Sequence, residues 1–505
     1  KGILTGKQTQ FFKDGSISVI KEYRNDTVVS IQSFDKSGRL IYADSLQDGK
    51  ITLKFFFPDG ILMSEGLLKN GNMEGLWNYY YPTGKLKVRS NYVEGLMSGK
   101  QTIWHANGNI EKEYSADSGN LSGEYREYYK SGKLKGKGFL INDNYDGEFY
   151  TYYGNDSLAS RVFYNDGDLC GRSIYYTPKG KKEYEEFFDG DGTSTKLILY
   201  NYLGKVSGEL DYSIDSVRFN ELNPDGTIRR KIALTDNVYH DAQEWYYPNG
   251  QLKIRLNYIH GLVNGISNSY DYNGNPELEI PYAMNTMNGV LKRFEGGKLS
   301  SKDTYEASLS QGAYTEYYNN GKVYRILNFE DDVRQGYSYY YSPDSILMYR
   351  LLYQDDMVRE ISWLGNDNKY VPGIPVNLST TEIVTYFPNG KPSGRFPFKD
   401  GLFHGKTTSY YPNGNINHEN SYFLGSYDGV YNYYYENGKL MESGSYFQED
   451  RTGPFVSYFP NGQKHKEGNY LFNNEDGQWS IFNNSGKLTE TLLYENGEIY
   501  EIRKN

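Results

Sequence analysis

Residues 401–407 read Gly-Leu-Phe-His-Gly-Lys-Thr, the stretch of this chain that comes nearest to a phosphate-binding loop. Such a loop needs four residues between its glycines, so that successive backbone N–H groups curl round the phosphates before the lysine arrives. Only three separate Gly401 from Gly405, and the same pattern recurs as Gly-Leu-Met-Ser-Gly-Lys at 95–100 and Gly-Ile-Leu-Thr-Gly-Lys at 2–7. A catalytic loop is written once. Recurrence predicts a structural turn here, with no nucleotide held.

The remaining chemistry-bearing residues are scattered. His105, His240, His260, His404, His418 and His465 form no pair with metal-ligand spacing on one element, and His105 and His404 fall at turns or strand ends, which predicts solvated turn side chains. Asp189, Gly190, Asp191, Gly192 and Thr193 faintly resemble a calcium loop but lack the third acidic ligand and the closing glutamate, so a glycine-rich hairpin turn is expected. The single cysteine, Cys170, excludes an internal disulfide and a multi-cysteine zinc site and has no identifiable histidine partner. Neither G-x-S-x-G nor H-E-x-x-H occurs. The expectation is a protein that is not an enzyme, with no catalytic, metal or cofactor residues and no small-molecule substrate.

What organises the chain is a repeat. Tyr-Tyr-Pro-Asn-Gly stands at 246–250 and 410–414, with variants ending at Gly84, Gly390, Gly438 and Gly462. Gly84, Gly108 and Gly132 are 24 residues apart, as are Gly390, Gly414, Gly438, Gly462 and Gly486; weaker members, Gly250 among the regular ones, keep steps of 22 to 24, or 48 where the copy between Gly132 and Gly180 has no glycine. After Gly250 the run Gln251-Leu252-Lys253-Ile254-Arg255-Leu256-Asn257-Tyr258 alternates polar and apolar, the pattern of a strand with one buried face. Gly261 and Gly265 then bracket a second turn, so each beat is one β-hairpin plus a connection. The Asn-Gly pair is expected to supply the positive φ angles of a tight hairpin turn.

The pattern G-x-x-x-G-x-x-x-x-Y-Y-P-N-G-K-L resembles the bacterial variant of the MORN repeat, found in proteins that carry a YwqK-type antitoxin label. The resemblance covers nearly the whole chain. It implies an all-β fold: an elongated, curved, single antiparallel sheet of about twenty tandem hairpins that serves as a scaffold or binding surface, with motif positions that are structural and not catalytic. At ~4.8 Å per strand, roughly forty strands would extend to ~190 Å. Residues 1–505 are then one continuous array, with degenerate repeats at 181–237 and an irregular insert or bend at 355–382.

Composition narrows the partners. The apolar fraction is only 37%, but 54 Tyr and 24 Phe supply large apolar bodies, many with a hydroxyl that can stay wet. A formal charge of -10 disfavours wholesale binding of nucleic acid or anionic membrane, leaving membrane contact at most peripheral. Lysine follows the turn glycine at Lys85, Lys133, Lys181, Lys205, Lys298, Lys322, Lys391, Lys439 and Lys487, a row of charge along one edge. Adjacent tyrosines in a strand point to opposite faces. Tyr79, Tyr128, Tyr410 and Tyr434, with Trp363 of the irregular stretch, are therefore the candidate binding surface. The function expected is a non-enzymatic scaffold that binds other proteins as an accessory subunit of a larger, envelope-associated assembly. A carbohydrate or cell-wall binding module is the alternative, although 5 Trp is few for sugar platforms, and an antitoxin or immunity protein is a third reading. Lys1 already adjoins a repeat, so a natural N-terminus is expected to have been removed; extracytoplasmic residence is favoured over cytoplasmic.

Overall fold

The computed structural model describes residues 3–12, 15–212, 216–236 and 238–505. Lys1 and Gly2 at the chain start, and Asn237 at the end of the 181–237 stretch, lie outside the described residues. The chain forms two compact units, Lys1–Gly180 with Phe188–Thr193, and Lys181–Phe187 with Ser194–Asn505. All regular elements of the described residues are strands, and every pairing is antiparallel.

One repeat of the second unit shows how the sequence builds the fold. Leu440–Phe447 alternates side chains about its axis, reverses, and is met by the two-residue strand Asp450–Arg451 and then by Gly453–Tyr458. That strand in turn pairs with Lys464–Leu471, with Gly453 opposite Tyr470 and a register shift between Ser457 and Tyr458. The two turns differ in kind. At Phe459-Pro460-Asn461-Gly462 the Gly462 N–H reaches the Phe459 carbonyl at 2.8 Å, and the glycine alone has positive φ, at 91°. The Asn does not share the left-handed region, contrary to the expectation from Asn-Gly. Its Oδ1 instead accepts the Gln463 N–H at 2.9 Å. This is a turn closed by a left-handed glycine bulge. The tight turns with two consecutive positive φ angles are the others, such as Gln448 and Glu449 at 54° and 76°. Where the glycine is missing between Gly132 and Gly180, Asp156 takes its place at φ 68°, a conformation that Asp tolerates better than most residues.

The single sheet expected from the sequence is not what forms: the strands divide into four sheets. In the first unit, Gly6–Phe11 to Leu40–Ser45 make a four-stranded sheet apart from the strands that begin at Lys50–Phe56. In the second unit a 19-stranded sheet runs from Ser216–Leu222 to Ile374–Pro375, and a 13-stranded sheet from Glu382–Tyr386 to Glu498–Lys504. Proline ends the larger one. Pro375 has no N–H to give to a further strand, and Asn377 folds the next residues into a turn by accepting the Ser379 N–H at 2.9 Å. The irregular stretch 355–382 thus contains the strand Met357–Ser362, the last pairing of one sheet and the connection to the next.

The core is tiled by rings lying over glycines. A Cβ on Gly468 would fall 2.1 Å from Trp479 Cδ2, on Gly66 2.0 Å from the same atom of Trp77, and on Gly138 2.3 Å from Phe149 Cδ2. Only a strand without a side chain lets the neighbouring ring lie flat on it. Over 181–237 the buried cluster is richer in aliphatic side chains, Leu197, Leu199, Leu210, Ile232 and Leu234 beside Tyr212, and Phe219 still lies over Gly208.

Candidate functional site

The turns are bonded to the repeats that follow them. Where the second aromatic before the turn is a tyrosine, its hydroxyl donates to a carbonyl 23 residues ahead, as Tyr129 does to Tyr152, Tyr411 to Tyr434 and Tyr435 to Tyr458, each at 2.7 Å. His105 occupies this place in its own repeat, with Nε2 donating to the Tyr128 carbonyl at 3.0 Å. Its side chain is 15% exposed, so it is a staple and not the solvated turn residue expected. The turn asparagines donate in the same direction, as Asn413 does to Glu436 O at 3.0 Å. So do the lysines: Lys133, Lys181, Lys391 and Lys439 reach carbonyls of the next turn at 2.7–2.9 Å. On the opposite edge Gly425 N–H bonds Phe403 O at 2.8 Å. Asp189 accepts the Asp191 and Thr193 N–H groups at 2.9 Å, closing a turn.

The residues that resemble a phosphate loop belong to an ordinary repeat. Gly401 lies in a tight turn, Leu402–Phe403 pairs with Phe398 and Lys399, and Gly405 at φ 91° opens the strand Gly405–Tyr410. Lys406 Nζ sits 2.5 Å from Glu419 Oε1, which raises its pKa, and it points along a sheet instead of into a cradle.

An interior cavity of about 140 Å³ lies in the second unit, where strands of its two large sheets face one another. Tyr324, Arg325, Tyr340, Tyr349 and Arg334 line it from one sheet, and Phe396, Thr407, His418, Asn420 and Tyr433 from the other. The repeat beside it differs from those that follow. The tiling ring is Trp479, Phe455 or Tyr431 in successive copies, and Phe455 and Tyr431 lie opposite Gly468 and Gly444; one copy earlier the pair is Thr407 opposite Asn420. A ring is missing, and small polar groups stand in its stead. Around the space, Tyr340 stacks on Tyr349 at 4.8 Å and His418 on Tyr433 at 5.4 Å. Tyr349 Oη is 2.9 Å from Ser409 Oγ. Arg325 Nε bonds Glu316 at 2.6 Å, and Arg334 Nε bonds Asp356 at 2.8 Å. His418 is 7% exposed, and its Nδ1 has no partner. Burial, assisted by the Arg325 charge, pushes its pKa down to about 3, so it is neutral at ordinary pH. Burial also pushes the hydroxyls of Tyr324, Tyr340 and Tyr433 well up, keeping them protonated. Among the described residues no group of three His, Cys, Asp or Glu could hold a metal ion.

Seven segments, 73–94, 121–142, 242–260, 310–331, 403–423, 427–448 and 451–471, match the MORN repeat variant. The chain is a MORN-type repeat protein. No curated protein matches it in sequence. Among solved structures, the crystal structure of TcdB2-TccC3-Cdc42 matches at 11% identity over 99% of this chain and 34% of that one, with a TM-score of 0.13. The Photorhabdus luminescens Tc holotoxin pore matches at 11% identity over 98% and 34%, TM-score 0.13. TcdB2-TccC3 without its hypervariable C-terminal region gives 12% over 99% and 30%, TM-score 0.14. The MORN-type chain spans about a third of the length of those chains.

Within this MORN-type array the candidate surface residues do not gather in one place. Tyr79 packs against the core that contains Trp77. Tyr128 and Tyr434 face the other way and donate to Glu113 and Glu419, each at 3.3 Å. Tyr410 and Tyr434 both lie beside Lys406. All four tyrosines are half-buried. Trp363 packs against the core at the junction of the two large sheets, its ring 5.9 Å from Tyr386. The nine turn glycines named from the sequence all have φ between 78° and 96°. Of the residues around the cavity only His418 is named from the sequence, as one of six scattered histidines, and it lies buried in the strand Ile416–Phe423 instead of on a solvated turn. The absence of a ring at 407 is no signal by itself, since Gln101, Ser173, Gln243, Ser267 and Ser338 hold the same place in other copies.

Proposed function

We propose that this MORN-type protein is a non-enzymatic scaffold that holds a protein partner on the outward face of its strands, as an accessory part of a larger assembly. Support comes from one stretch of the first unit. Phe139, Ile141 and Phe163 are 44%, 44% and 42% exposed, on the face opposite the ring-covered Gly138. Phe139 lies across from Glu124 and Phe163 from Glu148, and Glu148 is bonded to Arg161. Large apolar side chains ringed by charge on a stiff strand suit a protein interface, because covering them releases water and costs little conformational freedom.

The test is capture of partners from the native cells by tagged wild-type protein and by the double variant Phe139→Ser, Phe163→Ser. Wild type should recover at least one protein in stoichiometric amount, and the variant should recover about tenfold less, roughly 1.4 kcal/mol of binding, at an unchanged melting midpoint. Equal recovery by both, or no stoichiometric protein with wild type, rejects the proposal.

A further inference from the structure

The cavity of the second unit has no part in that reading, and its chemistry is specific. We propose that the space among Tyr324, Arg325, Tyr340, His418, Asn420 and Tyr433 binds one neutral hydroxylated ring, the size of a monosaccharide. The volume is the first argument. About 140 Å³ is close to the ~150 Å³ that holds a bare six-membered ring in an engineered apolar cavity, so the ring of the ligand fits inside and its substituents lie against the polar lining and toward the solvent-facing side. Thr407 and Asn420 hold here the places that Phe455 and Gly468, or Tyr431 and Gly444, take in the following repeats, and the walls are fixed by the same ladders as the rest of the sheets.

The lining decides the class of ligand. An apolar ring would leave the buried His418 Nδ1 without a partner, at a cost. An ion gains little, because the two guanidiniums are already neutralised by Glu316 and Asp356, and Glu449 adds a carboxylate to the lining. What remains is a mixture of donors and acceptors set among aromatic faces: protonated tyrosine hydroxyls, a neutral imidazole, the Asn420 amide, and guanidinium N–H groups beyond the Nε atoms that hold the carboxylates. A ring bearing hydroxyls on its edge and C–H groups on its faces matches both. The exposed turn residues Asp356, Gly425 and Glu449 also line the cavity, giving it a solvent-facing side through which such a ring can enter.

Isothermal titration and ligand-observed NMR on the full chain would test this with glucose, galactose, N-acetylglucosamine and myo-inositol, and with glucuronate and phenol as the charged and apolar controls. At least one neutral ring should bind saturably, with a Kd below about 1 mM, and glucuronate and phenol at least about tenfold more weakly. The double variant Thr407→Phe, Asn420→Gly fills the space in the manner of Phe455 and Gly468; it should keep its melting midpoint and lose binding. Tyr433→Phe, which removes one hydroxyl and no ring, should weaken binding about tenfold and serves if the filled variant does not fold. Absence of saturable binding by all four neutral rings, preference for glucuronate or phenol, or binding unchanged in the variants that fold would overturn the proposal and leave a cavity that holds water.

Discussion

Two interiors of the second unit are made from one repeat and end differently. Around Trp479, the rings of Phe455, Tyr470 and Tyr494 approach to 5.0–6.1 Å, and Gly468 gives the indole a bare strand to lie on. Around His418, Thr407 and Asn420 hold the corresponding places and a cavity opens. Backbone, turns and inter-repeat bonds are alike in both, as the Tyr411 and Tyr435 staples show. A MORN-type frame therefore does not depend on filling every interior position. Its strands are held by the ladders and by the turns bonded to one another, so a pair of interior residues can be exchanged without unmaking the sheet.

The largest contrast should come from truncating the filled interior. Trp479 is fully buried, so Trp479→Ala should cost about 3–5 kcal/mol, because it loses the transfer energy of the indole and leaves a hole over a glycine that cannot fill it. Urea unfolding gives the value. A loss below about 1 kcal/mol would mean that the two interiors contribute alike.

The hollow interior should reveal itself through pH. His418 is held neutral with a pKa of about 3, while in the unfolded chain it titrates near 6.5. As pH falls below about 6.5 the unfolded state takes up a proton that the folded state refuses, so stability drops by up to about 1.4 kcal/mol per pH unit until about pH 3. Half-buried Glu442, whose pKa desolvation raises, acts in the opposite sense, so the informative quantity is the difference between wild type and His418→Gln. Between pH 6.5 and 5 wild type should lose about 2 kcal/mol more than the variant. Parallel stability curves would place the imidazole in contact with solvent.

How much of this the sequence discloses follows from what is local. A glycine at positive φ and an alternating strand are properties of a few consecutive residues, so the 24-residue beat, the all-β class and the turn positions can be read directly. The division into four sheets cannot, because it depends on details such as Pro375, which ends a ladder only once its neighbours are known. Asn-Gly misled about turn type since the asparagine is used by its side chain, accepting an N–H two residues on and donating to the next repeat. The cavity was invisible for a different reason. Thr407, His418 and Asn420 are each ordinary in a strand, and the cavity exists only because strands of two sheets, distant in sequence, face one another.

Hydroxyls separate the two interiors from the staples that bind repeats together. Tyr411→Phe removes a 2.7 Å bond to the Tyr434 carbonyl and strands a buried acceptor, a loss of about 1 kcal/mol. Tyr433→Phe, beside the cavity, should change stability by less than about 0.5 kcal/mol, since its hydroxyl holds no such bond. Equal losses in thermal unfolding would mean that the cavity hydroxyl is structurally engaged. Gly414→Ala bears on the frame shared by both interiors. At φ 96° an added Cβ is strained whatever the room, and about 1 kcal/mol should be lost.

The smallest effect belongs to the residue that looks most like chemistry. Lys406 is 58% exposed and bonded to Glu419, so Lys406→Ala removes a surface ion pair and should cost less than about 0.5 kcal/mol, a difference that shrinks further as salt is raised. Nucleotide affinity should be undetectable in wild type and variant alike, because the strand Gly405–Tyr410 engages its backbone with residues 416–422 and leaves no curl of N–H groups for a phosphate. Titration with ATP by calorimetry distinguishes the cases. Saturable micromolar binding that disappears in Lys406→Ala would restore a phosphate site to this edge of the second unit and end the assignment of Gly401 to Thr407 as an ordinary turn and strand of the repeat.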